Sequence, residues 1–255
     1  MPSTVRIMTL LSETRHISCP DAFNVRDLGG YVTGDGRRVR WRVLYRADGL
    51  HRVTPAAAAV LGQLGWRTVL DLRTVGEVSL GSYRGDGVEV VHLPVLHRTW
   101  DEDGIGPASS PVEFLVARYL AMLEQGAAAI GAAVEIIASP SRAPLVFHCA
   151  AGKDRTGVVA GLVLSLLGVP DATVAEDYGL SAGAMAKIRH REGSELRRRS
   201  LLVEQPAVFH ACPPRAMRTF LDEVRVRFGS VEDYVLHTGV AAATVKRLRG
   251  VMLEP

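Results

Sequence analysis

The chain has 255 residues, 47% of them hydrophobic, and a formal net charge of +3 at pH 7. This length favours one α/β domain with a large core, and the mild charge gives no sign of nucleic-acid binding. Three widely spaced cysteines predict no disulfide framework and favour a reducing compartment. The longest apolar stretch, 157–169, is too short to span a membrane. We therefore expect one domain over residues 1–255, with no integral membrane segment, located in the cytoplasm unless exported without a signal.

The first half of the chain alternates between predicted strands and helices. Residues 1–20 are expected to form an N-terminal arm, and Gly-Asp-Gly at 34–36 predicts the tip of a hairpin over 29–40. Thr54 and Pro55 supply an N-cap and a first-turn proline for a helix. Apolar patterning then predicts strands over 42–45, 68–72, 88–93 and 144–147, and helices over 55–64, 112–125 and 127–138.

The second half, from residue 156, is predicted to be almost entirely helical. Glycine and proline residues are expected to break the helices at 168–170, 193, 206, 213–214 and 229. Strands alternating with helices, followed by helices alone, predict an α/β sandwich with a central, mainly parallel sheet flanked by helices. The loop after strand 144–147 then lies at the carboxyl end of a strand, where such sheets bind ligands.

That loop, residues 148–157, reads HCAAGKDRTG and carries the chemistry of the chain. A strand, a tight loop and a helix N-terminus can together hold an oxyanion. Cys149 at one end suits a nucleophile, because a helix N-terminus and nearby cations favour the thiolate. Arg155 at the other end can bind two phosphoryl oxygens at once. This phosphate loop therefore predicts hydrolysis of phosphate monoesters through a phosphocysteine intermediate.

The other residues of the phosphate loop have predicted supporting roles. Gly152 lets the backbone approach the anion, and Thr156 can offer its hydroxyl to the departing thiolate. His148 can fix the loop through a ring hydrogen bond. Lys153 either meets a second anionic group on the substrate or points to solvent. The predicted phosphate-binding set is Ala150, Ala151, Gly152, Lys153, Asp154 and Thr156.

The leaving alcohol needs a general acid, and two aspartates are the main candidates. Asp71 ends the strand over 68–72 on the loop-bearing edge of the sheet; alternatively, it caps a helix at Thr74 or pairs with Arg73. Asp154 lies inside the phosphate loop and can instead brace a neighbouring cation. Asp71 is the preferred acid and completes the predicted catalytic set with Cys149 and Arg155. Asp154 is the second candidate, and the sequence leaves the choice between the two open. Asp101 and Asp103, beyond the third strand, are weaker candidates.

Several motifs resemble the atypical bacterial group of cysteine-dependent tyrosine phosphatases. They are the phosphate loop, NVRDLGG at 24–30, LYRA at 44–47 (with Ala47 where serine is common), DLRT at 71–74 and the tail over 230–253. The resemblance covers most of residues 20–253 and implies a single phosphatase domain. It also implies an active-site role for Asp71, phosphoinositide hydrolysis alongside phosphotyrosine for a lysine-bearing loop, and a lid, here residues 184–206.

Charged residues outside the phosphate loop have both functional and structural interpretations. Arg26 and Asp27 can brace the loop, and Arg46 can pair with an acid near it, although plain structural ion pairs are more common. The basic run over 187–199 can face anionic substrates or lipids, or form a solvated helix face.

Cysteine and histidine spacing shows no metal-ligand pattern, so neither a metal nor another cofactor is expected. The expected partner is a phosphorylated protein or a phosphoinositide. Two alternatives stay open: a non-catalytic domain that binds phosphorylated ligands, and a sulfur-transfer or redox enzyme with a similar loop.

Overall fold

The structure is a computed structural model that describes residues 14–98, 110–198 and 207–255, without the side chains of 192–198. Its strands are β1 (Arg26–Asp27), β2 (Arg38–Val39), β3 (Leu44–Ala47), β4 (Thr68–Asp71), β5 (Glu89–His92), β6 (Leu145–His148) and β7 (Leu253–Glu254). One sheet has the order β1-β3-β6-β4-β5, in which β3, β6, β4 and β5 are parallel and β1 is antiparallel to β3. Strands β2 and β7 form a separate antiparallel pair.

Helices connect the strands and make up most of the second half of the described chain. They are α1 (Pro55–Gly62), α2 (Val75–Val78), α3 (Pro111–Gln125), α4 (Ala127–Ile137), α5 (Asp154–Leu166), α6 (Asp171–Gly179), α7 (Ser181–Arg198), α8 (Pro214–Phe228), α9 (Val231–His237) and α10 (Ala242–Met252). No single helix in the described ranges is long and apolar enough to cross a membrane. Among the residues that the structure describes, one pair of helices, α3 and α4, bent by 80° at their junction, meets that requirement by length and composition.

The central strands are rigidly enclosed because both faces of the sheet are covered. Every residue of β3, β4 and β6 is buried, as expected for the centre of a parallel sheet. Alternate side chains enter two cores: Leu70 and Phe147 pack with helices α3, α4, α5 and α8, whereas Val69 and Val146 pack with α1 and Trp66. The carboxyl ends of β3, β4 and β6 are thereby fixed beside one another.

The predicted α/β sandwich with a mainly parallel sheet and a helical second half is confirmed. Thr54 caps α1 as expected, its side chain accepting from Ala57 N at 3.4 Å. The predicted helix break at Gly193 is wrong, because α7 continues through it. A glycine costs a helix only about 1 kcal/mol, and α7 buries Ala184 and Ile188 in the larger core. The chain breaks instead at Leu180.

The predicted hairpin over 29–40 is present in part. Backbone hydrogen bonds join Gly30 N to Val39 O and Thr33 N to Arg37 O, and β2 then pairs with β7 near the end of the chain. Some expectations fall outside the described ranges: residues 1–13 of the N-terminal arm, residues 199–206 of the possible lid, and both Asp101 and Asp103.

Candidate active site

The phosphate loop connects the central strand of the sheet to a buried helix. Strand β6 lies between β3 and β4 and ends at His148, and α5 begins at Asp154. Cys149 follows β6 directly and is 2% exposed. The 13-residue helix α5 directs the positive end of its dipole toward the loop. Strand, loop and helix thus have the arrangement that suits an oxyanion.

The carbonyl groups of residues 150–152 are tied to the rest of the protein. Asn24 Nδ2 donates to Ala151 O at 3.1 Å and Gly152 O at 3.0 Å, and Arg46 Nη2 donates to Gly152 O at 2.8 Å. The backbone N–H of Gly49 donates to Ala150 O at 2.9 Å. In a trans peptide the N–H points away from the preceding C=O. The N–H groups of residues 151–153 therefore face away from this scaffold.

Position 152 requires glycine because of its backbone conformation as well as its predicted role in the phosphate loop. Its φ is +65°, a conformation that few side chains tolerate, and an added Cβ would lie 2.4 Å from Ala47 O. The expected reason for this glycine was space for the anion. The structure adds a second one: the loop passes directly over the end of β3.

Two arginines and one aspartate form a buried ion network beneath the loop. Arg26 Nε lies 3.0 Å from Asp177 Oδ1, and Arg46 Nη1 lies 2.7 Å from Asp177 Oδ2. Arg26 also donates to Asn24 Oδ1 at 2.5 Å, so it supports the residue that holds the loop. Burial opposes ionisation of Asp177, but the two arginines keep its pKa well below the usual range. Burial lowers the pKa of Arg46 to about 10. Both arginines thus make structural ion pairs, and Arg26 braces the loop indirectly.

Of the two interpretations of Asp27, the contacts favour a structural role over bracing of the phosphate loop. Its carboxylate accepts from Gly29 N and from Arg42 N, each at 2.7 Å. These bonds hold the turn that leads from β1 into the hairpin, because two backbone donors there need a nearby acceptor. Burial raises the pKa of Asp27 to about 6.

The guanidinium of Arg155 is held by Glu77, a residue that the sequence analysis did not select. Arg155 Nη1 donates to Glu77 Oε2 at 2.5 Å, and Nη2 donates to Oε1 at 2.8 Å. Burial opposes ionisation of Glu77, but hydrogen bonds from Arg155 hold its pKa below the ordinary value. The cation predicted to grip phosphate is thus oriented before any ligand binds.

The prediction that Asp71 is the general acid is opposed by its surroundings. Asp71 is 1% exposed and forms a two-point ion pair with Arg73, with Nη2–Oδ2 at 2.6 Å and Nε–Oδ1 at 2.9 Å. Burial opposes ionisation, but Arg73 holds the pKa of Asp71 below its ordinary value. An ionised carboxylate locked against an arginine has no proton to donate. Asp71 does not cap helix α2, because Thr74 caps it. Of the two structural roles expected for Asp71, the structure therefore shows the ion pair with Arg73.

Asp154, the other predicted acid, has a more open environment. Its side chain is 22% exposed and lies 3.2 Å from Lys153 Nζ. Tyr119 donates its hydroxyl to Asp154 Oδ1 at 2.7 Å, and the same hydroxyl lies 2.6 Å from that of Tyr178. Asp154 therefore contacts Lys153, as one alternative expected, and keeps contact with solvent.

Neither interpretation of Lys153 describes its position. The side chain is fully buried, and Nζ donates to Phe209 O at 2.7 Å and to Ala211 O at 2.9 Å. The ammonium group therefore binds backbone carbonyls, and not the second anionic group of a substrate that was expected. Lys153 thus fastens the phosphate loop to residues 207–211, which follow the segment proposed as a lid.

The loop neighbours His148 and Thr156 are both buried. His148 Nδ1 lies 3.2 Å from Cys149 O, and burial lowers the pKa of His148 to about 4, so the neutral ring can donate this bond. Thr156 Oγ1 has no hydrogen-bond partner among the described residues. Its assignment to the Cys149 thiolate stays a prediction.

Helix α7, which begins the possible lid, packs beside the N-terminal side of the site. Arg191 donates to Asp21 O at 2.7 Å, and its guanidinium lies 4.9 Å from the centre of the Phe23 ring. Lys187 and Arg189 are exposed. Among the side chains that the structure describes, the basic run over 187–199 thus makes structural contacts through Arg191 and exposes Lys187 and Arg189 to solvent.

Asn24, Glu77 and Asp177 are the supporting residues that sequence reasoning missed. Asn24 belongs to the 24–30 motif, but an isolated amide gives no sign of its partner. Glu77 had a usable signal: Thr-x-x-Glu at 74–77 is a capping box, and its carboxylate lies close to the DLRT motif. Asp177 has no local signal, since it reaches Arg46 across 131 positions of sequence.

Within residues 14–98, 110–198 and 207–255, no group of three or more histidine, cysteine, aspartate or glutamate residues is placed to hold a metal ion. All three cysteines are free and buried.

Comparison with known proteins shows similarity to tyrosine phosphatases over almost the whole chain. The tyrosine phosphatase family model matches residues 17–254. The chain is 29% identical to a triple specificity protein phosphatase PtpB of Mycobacterium tuberculosis, over 92% of this chain and 98% of that protein. It is 31% identical to a putative tyrosine-protein phosphatase of Cupriavidus necator, over 89% of this chain and 84% of that protein. The chain therefore belongs to the tyrosine phosphatase family.

Proposed function

We propose that the chain hydrolyses phosphotyrosine through a phosphocysteine intermediate on Cys149. The observation that carries this proposal is the tethering of the carbonyls of residues 150–152 to Gly49, Asn24 and Arg46. Tethering leaves the intervening N–H groups on the opposite side, between Cys149 and Arg155. Fixed donors of this kind stabilise a phosphoryl group whose charge spreads over three oxygens in the transition state.

The proposed reaction has two displacement steps. The Cys149 thiolate attacks phosphorus, and the bond to the phenolic oxygen breaks as the sulfur–phosphorus bond forms. Arg155 and the loop N–H groups hold the equatorial oxygens throughout. Water then attacks the phosphocysteine, the thiolate leaves with a hydrogen bond from the Thr156 hydroxyl, and inorganic phosphate is released.

We assign the general acid to Asp154 rather than to Asp71. Asp154 precedes Arg155 in the loop and its side chain is partly exposed, whereas Asp71 is enclosed with Arg73. In the first step Asp154 gives its proton to the leaving phenol, and in the second it accepts one from the attacking water. The hydroxyl of Tyr119 orients the carboxyl group for both transfers.

Phosphoserine, phosphothreonine and phosphoinositides are proposed as further substrates. A relative that spans nearly the whole chain is named a triple specificity phosphatase, which supports a broad range. Lys153 does not contribute to this support, because its ammonium group is engaged by Phe209 O and Ala211 O. Comparing phosphopeptides with phosphoinositides as substrates tests the range. The three free cysteines support a reducing compartment such as the cytoplasm.

An aryl phosphate assay in the presence of a chelator tests the proposed activity. The wild type should release the phenol, with a burst equal to one phosphocysteine per active site. Cys149→Ser should abolish turnover while still binding inorganic phosphate. Turnover that survives this substitution refutes the thiol mechanism. A wild type that binds phosphate without turnover supports the alternative of a non-catalytic binding domain.

A further inference from the structure

The Glu77 carboxylate binds the Arg155 guanidinium through two separate hydrogen bonds. Both partners are largely enclosed, with side-chain exposures of 10% for Arg155 and 17% for Glu77. A two-point contact of this kind fixes the plane of the guanidinium as well as its position. The orientation of Arg155 is therefore set by the helix that carries Glu77.

Helix α2 holds the Glu77 carboxylate in place through its capping box. Thr74 N donates to Glu77 Oε2 at 2.8 Å, and Glu77 N donates to Thr74 Oγ1 at 3.2 Å. The oxygen Oε2 thus accepts from the backbone of Thr74 and from Arg155 at the same time. Because one of these donors is backbone, the carboxylate cannot follow a moving arginine without breaking the start of α2.

The Asp71–Arg73 pair anchors the other end of the same helix. Arg73 Nη1 donates to Glu77 O at 3.2 Å, and Nη2 donates to Gly81 O at 2.8 Å. Asp71, at the end of β4, fixes Arg73 through its two-point ion pair. A continuous chain of contacts therefore runs from the central sheet through Asp71, Arg73 and Glu77 to Arg155.

We infer that Glu77 is a positioning residue, which aims the guanidinium of Arg155 at the phosphoryl group. The inference rests on the proposed function. A guanidinium has two forked edges, and Glu77 occupies the one formed by Nη1 and Nη2. The edge formed by Nε and the second N–H of Nη2 is not used by Glu77. That edge can bind two phosphoryl oxygens while Glu77 stays in place. Asp71 then serves the site through Arg73 and not as an acid.

Glu77→Gln tests this role with little change to the fold. The amide oxygen of glutamine can still accept from Thr74 N, so the capping box survives while one bond to Arg155 loses its acceptor. We expect kcat/KM for an aryl phosphate to fall roughly 10- to 100-fold, on the scale of a lost charge-assisted bond. The inhibition constant of inorganic phosphate should rise about tenfold, because the site binds oxyanions less well.

Glu232→Gln is the matched control, since it removes the carboxylate from another Glu–Arg pair, 2.6 Å from Arg249 Nη2. It should leave both constants unchanged. If Glu77→Gln does not fold, Glu77→Asp replaces it. The side chain keeps the charge but is one methylene shorter, so its carboxylate no longer reaches the Arg155 guanidinium from the start of α2, and the same changes are expected. An inhibition constant for phosphate that is unchanged or lower overturns the inference. A lower constant means that Glu77 competes with phosphate for Arg155.

The two proposals fail in different ways. If the wild type does not hydrolyse aryl phosphates, or if Cys149→Ser retains turnover, the proposed function itself is wrong. If the wild type is active, Cys149→Ser is inactive and Glu77→Gln binds phosphate as the wild type does, only the role of Glu77 is wrong. Melting temperatures equal to that of the wild type show that the measured changes arise in the site.

Discussion

Replacing Gly152 with alanine tests whether the shape of the phosphate loop, and not only its charge, is needed for catalysis. Gly152 has φ of +65°, and an added Cβ would lie 2.4 Å from Ala47 O. Gly65 has the same φ of +65°, but an added Cβ there meets open space. Gly65→Ala is therefore a matched control that isolates the cost of the backbone conformation from the cost of the collision.

The expected magnitudes follow from these two contacts. A left-handed alanine costs roughly 1–2 kcal/mol, and the reduced freedom of the unfolded chain returns about 0.4–1 kcal/mol. Gly65→Ala should thus lower the free energy of unfolding by about 1 kcal/mol. Gly152→Ala carries the same cost, and the loop must also move about 1 Å away from Ala47 to relieve the contact. That movement breaks the bonds from Asn24 and Arg46 to Gly152 O, which adds about 1–3 kcal/mol.

Catalysis should respond more strongly than stability, because a displacement of about 1 Å in a reacting group can cost about 10²-fold in rate. Urea unfolding gives the free energies for the two variants, and steady-state hydrolysis of an aryl phosphate gives kcat. We expect Gly65→Ala to keep the wild-type kcat and Gly152→Ala to lose about 10²-fold. The reasoning is refuted if Gly152→Ala keeps the wild-type kcat or is destabilised no more than Gly65→Ala.

Three further changes probe the acid, the buried network and the loop anchor. Asp154→Asn should lower kcat by about 10²–10⁴-fold on phosphates with poor leaving groups and much less on nitrophenyl phosphate. Asp71→Asn should lower kcat equally on both kinds of substrate. If the two variants show the reverse pattern, Asp71 is the acid. Asp177→Asn should cost about 3–5 kcal/mol in urea unfolding at neutral pH. The folded pKa of Asp177 is lowered, so the stability that it contributes is complete above the unfolded pKa and is lost as pH falls through the folded value. The free energy of unfolding of Asp177→Asn should therefore decrease less than that of the wild type as the pH falls. Lys153→Met should lower the melting temperature and speed proteolysis within 207–211; wild-type cleavage rates there would contradict the anchor.

The strand, loop and helix of the phosphate loop were predictable because each has a local cause. An apolar run buried on both faces predicts the strand that ends at His148, and a glycine marks the sharp loop. A long apolar run starting beside Arg155 predicts the helix. These signals lie within about twenty consecutive residues, so no knowledge of the tertiary structure is needed. The same holds for the N-cap at Thr54.

The partners of the charged residues were not predictable, because pairing depends on the packing of distant segments. Arg46 and Asp177 are 131 positions apart, and Lys153 reaches Phe209 O across 56. Asp71 shows the consequence most clearly. Its position at a strand end was predicted correctly, but the strand end alone does not say whether the carboxylate faces the substrate or Arg73.

The arginines at and beside the site are held in the same way. Each is bound by a carboxylate that the fold holds in place: Arg26 and Arg46 by Asp177, Arg73 by Asp71 and Arg155 by Glu77. A free arginine would lose side-chain entropy when phosphate binds, at about 0.5–1.5 kcal/mol per ordered side chain. A carboxylate partner removes part of this cost in advance, and together the three carboxylates offset three of the four arginine charges. The remaining attraction for the dianion then comes mainly from the loop N–H groups and the α5 terminus, which is why the backbone conformation at Gly152 should control the rate.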